Sequence, residues 1–306
     1  MADRKLTTSQ SDLTDHIYQN FSSVASNFIR IHGGERSIAY SFSVNGKDFI
    51  IRINREIEGF QKDKNSYEDF QHVIPVPKIL KIGPYQSGYY AISEKAKGSA
   101  LDDNKQLTPA LVEDIFSILD AIHIKAKKDD KYGLIDSTRK AHFTSWEEYL
   151  FKDYILVVKE NGSYYTWKEI YAKSKKHVEE FKNIERRIRE LIKYIPNEKY
   201  FVHGDFGGSN LIVERDRVTA VIDWSESMYG DFLFDIAYYA FWRGDRELII
   251  KYKNYCEKKG RVIPYFEERI LCHQLFIGLH SLAIYLVIED INEFKGVQVK
   301  LRKILE

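Results

Sequence analysis

The stretch Tyr200-Phe-Val-His203-Gly-Asp205-Phe-Gly-Gly-Ser-Asn210, continued downstream by Val221-Ile-Asp223-Trp224, places three oxygen-bearing side chains at fixed spacing. Asp205 and Asn210 share one short loop, five positions apart, and Asp223 stands eighteen beyond Asp205, after the apolar run 218–222. Residues 211–223 alternate in polarity and break at Arg215 to Arg217, which predicts a β-hairpin. A hairpin returns the chain to its start, so Asp223 is expected beside Asn210 and Asp205.

Outward from this hairpin the periodicity changes once. Residues 28–97 read mainly as strands. Segments 38–44 and 47–54 flank Asn45-Gly46, a strong hairpin signal because both residues tolerate positive φ. A helical run over 58–72 ends at Pro75 and Pro77, and strands over 78–82 and 89–97 follow, with a turn expected at Gly83-Pro84. Beyond Gly98 the pattern is helical. Thr108-Pro109 reads as an N-cap with proline at the first helical position, opening a helix to about 125. Thr144-Ser-Trp-Glu147 reads as a capping box. One long helix is expected over 166–194, and others over 231–242, 245–259, 265–288 and 292–305.

Two hard oxygen ligands and a carboxylate that can take a proton are the parts that magnesium-dependent phosphoryl transfer requires. Mg²⁺ takes one or two protein oxygens and leaves its other positions to phosphates and water, and the reaction needs positioning more than covalent help. Asp205 is therefore the candidate base, and Asn210 and Asp223 are the candidate Mg²⁺ ligands. Alone, His-Gly-Asp would be a turn with an exposed Asp; the hairpin and Asp223 at the required places give it weight. A zinc hydrolase would want further His or Cys ligands that the neighbourhood lacks. His203 reads as a residue that fixes the loop by hydrogen bonding.

His203-Gly-Asp205-x4-Asn210 followed by Ile222-Asp223-Trp224 resembles the catalytic and metal loops of the aminoglycoside phosphotransferase family, whose protein-kinase counterparts are His-Arg-Asp-x4-Asn and Asp-Phe-Gly. The segment Ala220-Val-Ile-Asp-Trp-Ser-Glu-Ser-Met-Tyr-Gly-Asp231, with Phe241-Trp242-Arg243, Gly59-Phe-Gln-Lys-Asp63 and Pro75-Val-Pro77, is most similar to the hygromycin B phosphotransferases. The resemblance implies an α+β, two-lobe kinase-like fold. Its small lobe, 1–97, would hold a five-stranded antiparallel sheet with one helix, and its larger, mainly helical lobe would be 98–306. It also implies transfer of the γ-phosphoryl of ATP or GTP to a hydroxyl of a small cationic acceptor, an aminoglycoside, with Mg²⁺.

Arg52 stands on the third strand where a kinase has a phosphate-binding Lys, and Asp63 is its expected helix partner. Arg offers a bidentate donor where Lys is a point charge; Lys62 is a rival phosphate ligand. The loop His32-Gly33-Gly34-Glu35-Arg36-Ser37 would cover the phosphates through Gly34 and Ser37. Ser93, Glu94 and Lys95 would form the hinge that reads the purine, with Ile50 packed on it. For the acceptor the candidates are Asp205, Glu226, Trp242 and Arg243. Asp231 is expected to cap a helix, and Asp235 to hydrogen-bond the catalytic loop. Two alternatives stay open: a kinase for a macrolide, choline, sugar or homoserine, and a nucleotide-binding pseudokinase serving as an interaction module. The intact Asp205, Asn210 and Asp223 speak against the second.

Across 306 residues, 46 Lys and Arg balance 45 Asp and Glu to a net charge of +1, which argues against a nucleic-acid binder. Cys256 and Cys272 make no disulfide framework or metal-ligand spacing. The start lacks an apolar leader, and the longest apolar stretch, 276–288, is interrupted by His280 and Ser281 and is too short to span a bilayer. A cytoplasmic monomer with no membrane partner is expected.

Overall fold

The computed structural model describes residues 8–21, 23–31, 37–124, 130–159 and 162–306. In chain order these form α1 (Gln10–Phe21), β1 (Ser26–Ile31), β2 (Ile38–Val44), β3 (Lys47–Asn54), α2 (Glu58–Phe70), β4 (Ile79–Tyr85), β5 (Gly88–Glu94) and β6 (Ser99–Ala100). There follow α3 (Pro109–Ile122), β7 (Gly133–Leu134), α4 (Trp146–Leu150), β8 (Tyr154–Val158), β9 (Tyr164–Thr166), α5 (Trp167–Lys173), α6 (Val178–Leu191) and β10 (Tyr200–Val202). The chain ends with β11 (Leu211–Glu214), β12 (Arg217–Val221), β13 (Met228–Gly230), α7 (Leu233–Arg243), α8 (Arg246–Lys258), α9 (Phe266–Ile288) and α10 (Ile291–Leu305). Two compact units result. The first comprises Met1–Leu101, Asp136–Arg139 and Ser209–Ser225; the second takes the remainder. The β11–β12 hairpin thus clusters with the N-terminal sheet, although the lobe boundary at 97/98 expected from sequence would assign it to the C-terminal lobe.

The first unit is built on an antiparallel sheet in the order β1-β2-β3-β5-β4. Along β3, Phe49, Ile51 and Ile53 are buried while Ile50, Arg52 and Asn54 are half-buried, the two-residue alternation of a pleated strand. The inward set joins Phe42, Tyr90 and Ile92 in one apolar core. Helix α1 completes that core with Leu13 and Ile17. The expected turn at Gly83-Pro84 is displaced: β4 runs through both residues to Tyr85, and Gln86 takes the positive φ of 50°. β4 is an edge strand, where a proline lacking its N–H breaks no ladder.

In the same unit β11 and β12 pair antiparallel with Leu211 opposite Val221, and β6 adds a third strand along β11. Gly98, at φ +100°, makes this approach possible, since a Cβ there would lie 2.2 Å from the Val213 carbonyl oxygen.

The second unit is mainly helical, with the small sheet β10-β13-β7 and the β8–β9 hairpin. Thr108 caps α3 through the Leu111 amide at 3.3 Å. The capping box expected at 144–147 is replaced by a simpler cap: Ser145 is the N-cap, bonded by the Glu148 amide at 3.0 Å, and Glu148 accepts from the amide of Thr144, the residue before the cap, at 2.7 Å. The long helix expected over 166–194 is two, α5 and α6. Thr166 and Glu169 form a full capping box for α5. The stretch Lys173-Ser-Lys-Lys-His177 supplies no apolar residue to hold a helix against the core and sets like charges together, so the chain turns there. Helix α9 packs on α6, α7 and α10. It is longer than the apolar run read from sequence, and by length and composition it could cross a membrane, but most of its residues are buried within the protein.

Candidate active site

In the first unit, Asp63 on α2 connects the strand that carries Arg52 to the turn that carries Asp223. Its Oδ2 pairs with the Arg52 guanidinium, and its Oδ1 accepts from the Trp224 amide at 2.9 Å. Phe60, one helical turn earlier on α2, lies under the guanidinium with its ring centre 5.2 Å away. Burial works against the Arg52 charge, but Asp63, and then Asp223, outweigh it and hold its pKa above the ordinary arginine value. Arg52 is thus locked as a cation and aimed by a carboxylate that is itself tied to the backbone of the turn carrying Asp223.

Asp223 has φ +60°, the left-handed region that a residue with a side chain adopts at a cost of about 1–3 kcal/mol. The hairpin register sets it beside Asn210, because the Ile222 amide donates to the Asn210 carbonyl at 3.0 Å. Asn210 is buried in a single 3₁₀ turn that leads into β11. An amide oxygen and a carboxylate at the two ends of one hairpin are a hard-oxygen donor set, which fits Mg²⁺. Among the described residues no group of three or more His, Cys, Asp or Glu could hold a metal ion, which fits zinc poorly. Trp224 stacks on Phe70 of α2, with ring centres 5.3 Å apart, and fixes the turn from behind.

Lys62 is turned away from any phosphate role here: its ammonium donates to the Ser225 carbonyl, bracing the same turn. Ile50 pairs across to Ser93 on β5. The amides of Glu94 and Lys95 are engaged in the sheet, donating to Lys78 O at 3.0 Å and Asp48 O at 3.2 Å. Ser37 immediately precedes β2, while Gly34 lies outside the described residues.

The second unit carries Asp205. Asp235 on α7 accepts the amides of His203 and Gly204, both at 2.9 Å, and lies 3.0 Å from His123 Nε2. The Asp205 amide donates to His203 Nδ1 at 3.3 Å, which fixes the tautomer of that buried ring. Gly204 is required: at φ +83°, a Cβ would stand 2.1 Å from the Glu226 carbonyl oxygen. Tyr238, half-buried on α7, feels the charges of Asp205 and Glu226. Burial first, and then these two carboxylates, hold the phenol protonated well above its usual range. Tyr238 therefore keeps its hydroxyl proton beside the candidate base.

Sequence reasoning identified Asp235 and missed Tyr238. The signal was available, because Tyr238 lies three positions after Asp235 and shares its helix face. Asp231 does more than cap: although its Oδ1 accepts the Leu233 amide at 3.2 Å, it also binds Arg269 through two bonds and His273 Nε2 at 2.9 Å. Trp242 is half-buried against Tyr238, with centroids 6.2 Å apart. Arg243 donates to the Lys105 and Asp102 carbonyls, so its guanidinium ties the end of α7 to the 102–105 loop.

The phosphotransferase enzyme family model, APH, matches residues 29–262. A hygromycin-B 4-O-kinase of Escherichia coli is 29% identical over 278 residues, covering 89% of this chain and 78% of that protein. The crystal structure of aminoglycoside phosphotransferase APH(4)-Ia superposes with a TM-score of 0.76 at 26% identity, covering 97% of this chain and 98% of that one. A thermostable mutant of that enzyme, in ternary complex with AMP-PNP and hygromycin B, gives 0.80 at 24% identity over 96% and 97%. The fold is accordingly the kinase-like aminoglycoside phosphotransferase fold, mixed α and β with a five-stranded antiparallel sheet. The match spans the sheet, the His203-Gly-Asp205 loop, the hairpin and α7, and the chain belongs to the APH phosphotransferase enzyme family.

Proposed function

We propose that this enzyme moves the γ-phosphoryl of a nucleoside triphosphate, ATP or GTP, to a hydroxyl of an aminoglycoside related to hygromycin B, and that its biological effect is resistance to such a drug. The Arg52–Asp63–Trp224 connection carries the kinase half: it fastens a locked cation to the turn that presents Asp223. The acceptor half is supported by the likeness to hygromycin-B 4-O-kinase. In this reading residues 1–97 are the nucleotide lobe and 98–306 the catalytic and acceptor lobe.

The roles follow from the chemistry of each group. Arg52, aimed by Asp63, grips the phosphates with its planar fork. Gly34, Ser37, Ile50, Ser93, Glu94 and Lys95 line the nucleotide. Asp205 takes the proton of the acceptor hydroxyl as its oxygen bonds to the γ-phosphorus. The bond from that phosphorus to the bridging oxygen breaks, and the nucleoside diphosphate leaves. Asn210 and Asp223 would hold Mg²⁺, which when bound neutralises charge on the phosphates. Glu226 pairs an acceptor ammonium, and Trp242 covers a sugar face. Arg243, given its carbonyl contacts, acts through the 102–105 loop rather than by touching the acceptor. The enzyme works as a cytoplasmic monomer.

A transfer assay with labelled nucleotide across hygromycin B, other aminoglycosides, a macrolide, choline and a hexose tests this. Label is expected in hygromycin B. Label in a macrolide, choline or the hexose alone would overturn the acceptor, and hydrolysis with no transfer at all would overturn the kinase reading.

A further inference from the structure

Helix α2 carries Asp63, the carboxylate that aims Arg52, yet its own sequence does little to hold the helix in place. Ile57 at its N-cap offers no side-chain bond to the first turn. Its last turn carries Glu68 and Asp69 and no basic residue, so two carboxylates sit at the negative end of the helix dipole. Within the helix, Lys64 comes only to 4.0 Å from Glu68. A helix of 13 residues is marginal by itself and takes its stability from what it packs on.

The missing cation comes from the short stretch Asp136–Arg139, remote in sequence but part of the same compact unit. The Arg139 guanidinium donates to both Asp69 carboxylate oxygens, at 3.2 and 3.3 Å, and to Glu68 Oε2 at 2.9 Å. One helical turn earlier, the Asn65 side-chain amide donates to the Ser137 carbonyl at 2.8 Å. The stretch is itself a closed turn. The Arg139 amide donates to the Asp136 carbonyl at 2.9 Å, and Asp136 Oδ1 takes the Thr138 amide at 2.8 Å and the Thr138 hydroxyl at 2.6 Å. Arg139 stands at φ +65°, the left-handed region that a residue with a side chain enters only when its surroundings hold it there. Helix α2 is thus gripped at two places: Lys62 and Asp63 bond the 224–225 backbone, and Asn65, Glu68 and Asp69 bond the 136–139 turn.

We propose that Arg139 is a positioning residue for the nucleotide site: by neutralising the last turn of α2 and fixing it to the 136–139 turn, it keeps Asp63 aligned on Arg52. The inference rests on the phosphate role given to Arg52 above and extends it to a residue outside the kinase machinery. A single exposed ion pair contributes little, but a guanidinium whose fork is shared by two carboxylates is the geometry in which surface pairs count. The route has two steps. Loosening the last turn lets α2 shift, and Asp63 then loses its simultaneous hold on the Arg52 guanidinium and the Trp224 amide. A guanidinium aimed less firmly presents its fork to a phosphate less often.

The test is calorimetry of Mg-ATP binding, with Mg-GTP in parallel, in the wild type, Arg139→Ala and Arg139→Lys. In Arg139→Ala the Kd is expected to rise roughly two- to fivefold. Arg139→Lys should fall between, because an ammonium supplies the charge without the fork. In an Arg52→Ala background the loss of Arg139 should no longer change Kd, since its effect runs through Arg52. An unchanged Kd in Arg139→Ala, or the same fold-loss with and without Arg52, would overturn the proposal. A second arm needs no nucleotide. The Trp224 amide, bonded to Asp63 Oδ1 at 2.9 Å, should exchange with deuterium faster in Arg139→Ala than in the wild type, while the amides of α10 keep their rates. A Trp224 rate that stays the same, or that rises only as much as those of α10, overturns the brace. If Arg52→Ala binds nucleotide as the parent does, the phosphate reading has failed, and the Trp224 exchange alone judges the role of Arg139.

Discussion

At the scale of single residues, the site is a set of side chains and loop amides held by identifiable neighbours. The Asp205 amide is held by the His203 ring, and the Tyr238 phenol lies in the field of the Asp205 carboxylate. Arg52 is held by Asp63. Two outcomes follow. Arg52→Ala should weaken nucleotide binding in calorimetry, and Arg52→Lys should restore only part of it, because a point charge cannot reproduce the fork paired with Asp63. Binding equal to the parent in Arg52→Ala would move the phosphate role elsewhere, though not readily to Lys62, whose ammonium is bonded to the Ser225 carbonyl. Tyr238→Phe should lower kcat and move the acid limb of the kcat/KM pH profile upward, since a carboxylate that loses a neighbouring hydroxyl dipole is more easily protonated. A profile unchanged by that variant would make Tyr238 a packing residue only.

At the scale of elements, the loop that presents Asp205 is shaped by α7 more than by its own sequence. Asp235 accepts two buried amides from the loop, and leaving such donors unpaired costs about 1–3 kcal/mol each. Asp235→Ala is therefore expected to lower kcat by roughly tenfold or more, a 1.4 kcal/mol effect being tenfold, with nucleotide affinity little changed. Steady-state kinetics beside calorimetry would check the split. The strands, hairpin and last helices were legible because their signals are local: alternation, Asn45-Gly46, proline stops. What was not legible depended on packing. Leu13, Ile17 and Phe21 recur at helical spacing and mark α1 only once a sheet is known to lie beneath them. The break between α5 and α6 came from a stretch with nothing to bury. The turn at Gln86 was misplaced because a proline signals an edge strand as well as a turn. Tyr238 carried no motif, and only the fold brings it into the field of Asp205.

At the scale of the molecule, one buried ionic cluster ties the start of α7 to α9. Asp231 is buried, which alone would raise its pKa, yet its bonds to His273 and Arg269 hold it well below the carboxylate range. A carboxylate depressed on folding contributes stability above its unfolded pKa, near 4, and loses that contribution as pH falls toward the folded value. Asp231→Asn should cost about 3–5 kcal/mol at neutral pH, because it leaves Arg269 buried without its anion. The gap in Tm between wild type and variant should narrow below about pH 4. Thermal denaturation across pH 2–7 would show it; a gap constant over that range would mean the cluster is not what acid removes.

The account as a whole rests on Asp205 acting as the base in transfer of a phosphoryl group to an aminoglycoside hydroxyl. The most direct measurement is single-turnover transfer from γ-labelled ATP to hygromycin B, with and without Mg²⁺, in the wild type and in Asp205→Asn. The account predicts a product one phosphate heavier than the drug, dependent on Mg²⁺, formed roughly 10²–10⁴-fold more slowly by Asp205→Asn, with nucleotide affinity retained. Near-normal transfer by Asp205→Asn, or no phosphorylated drug from a wild type that binds nucleotide, would contradict it.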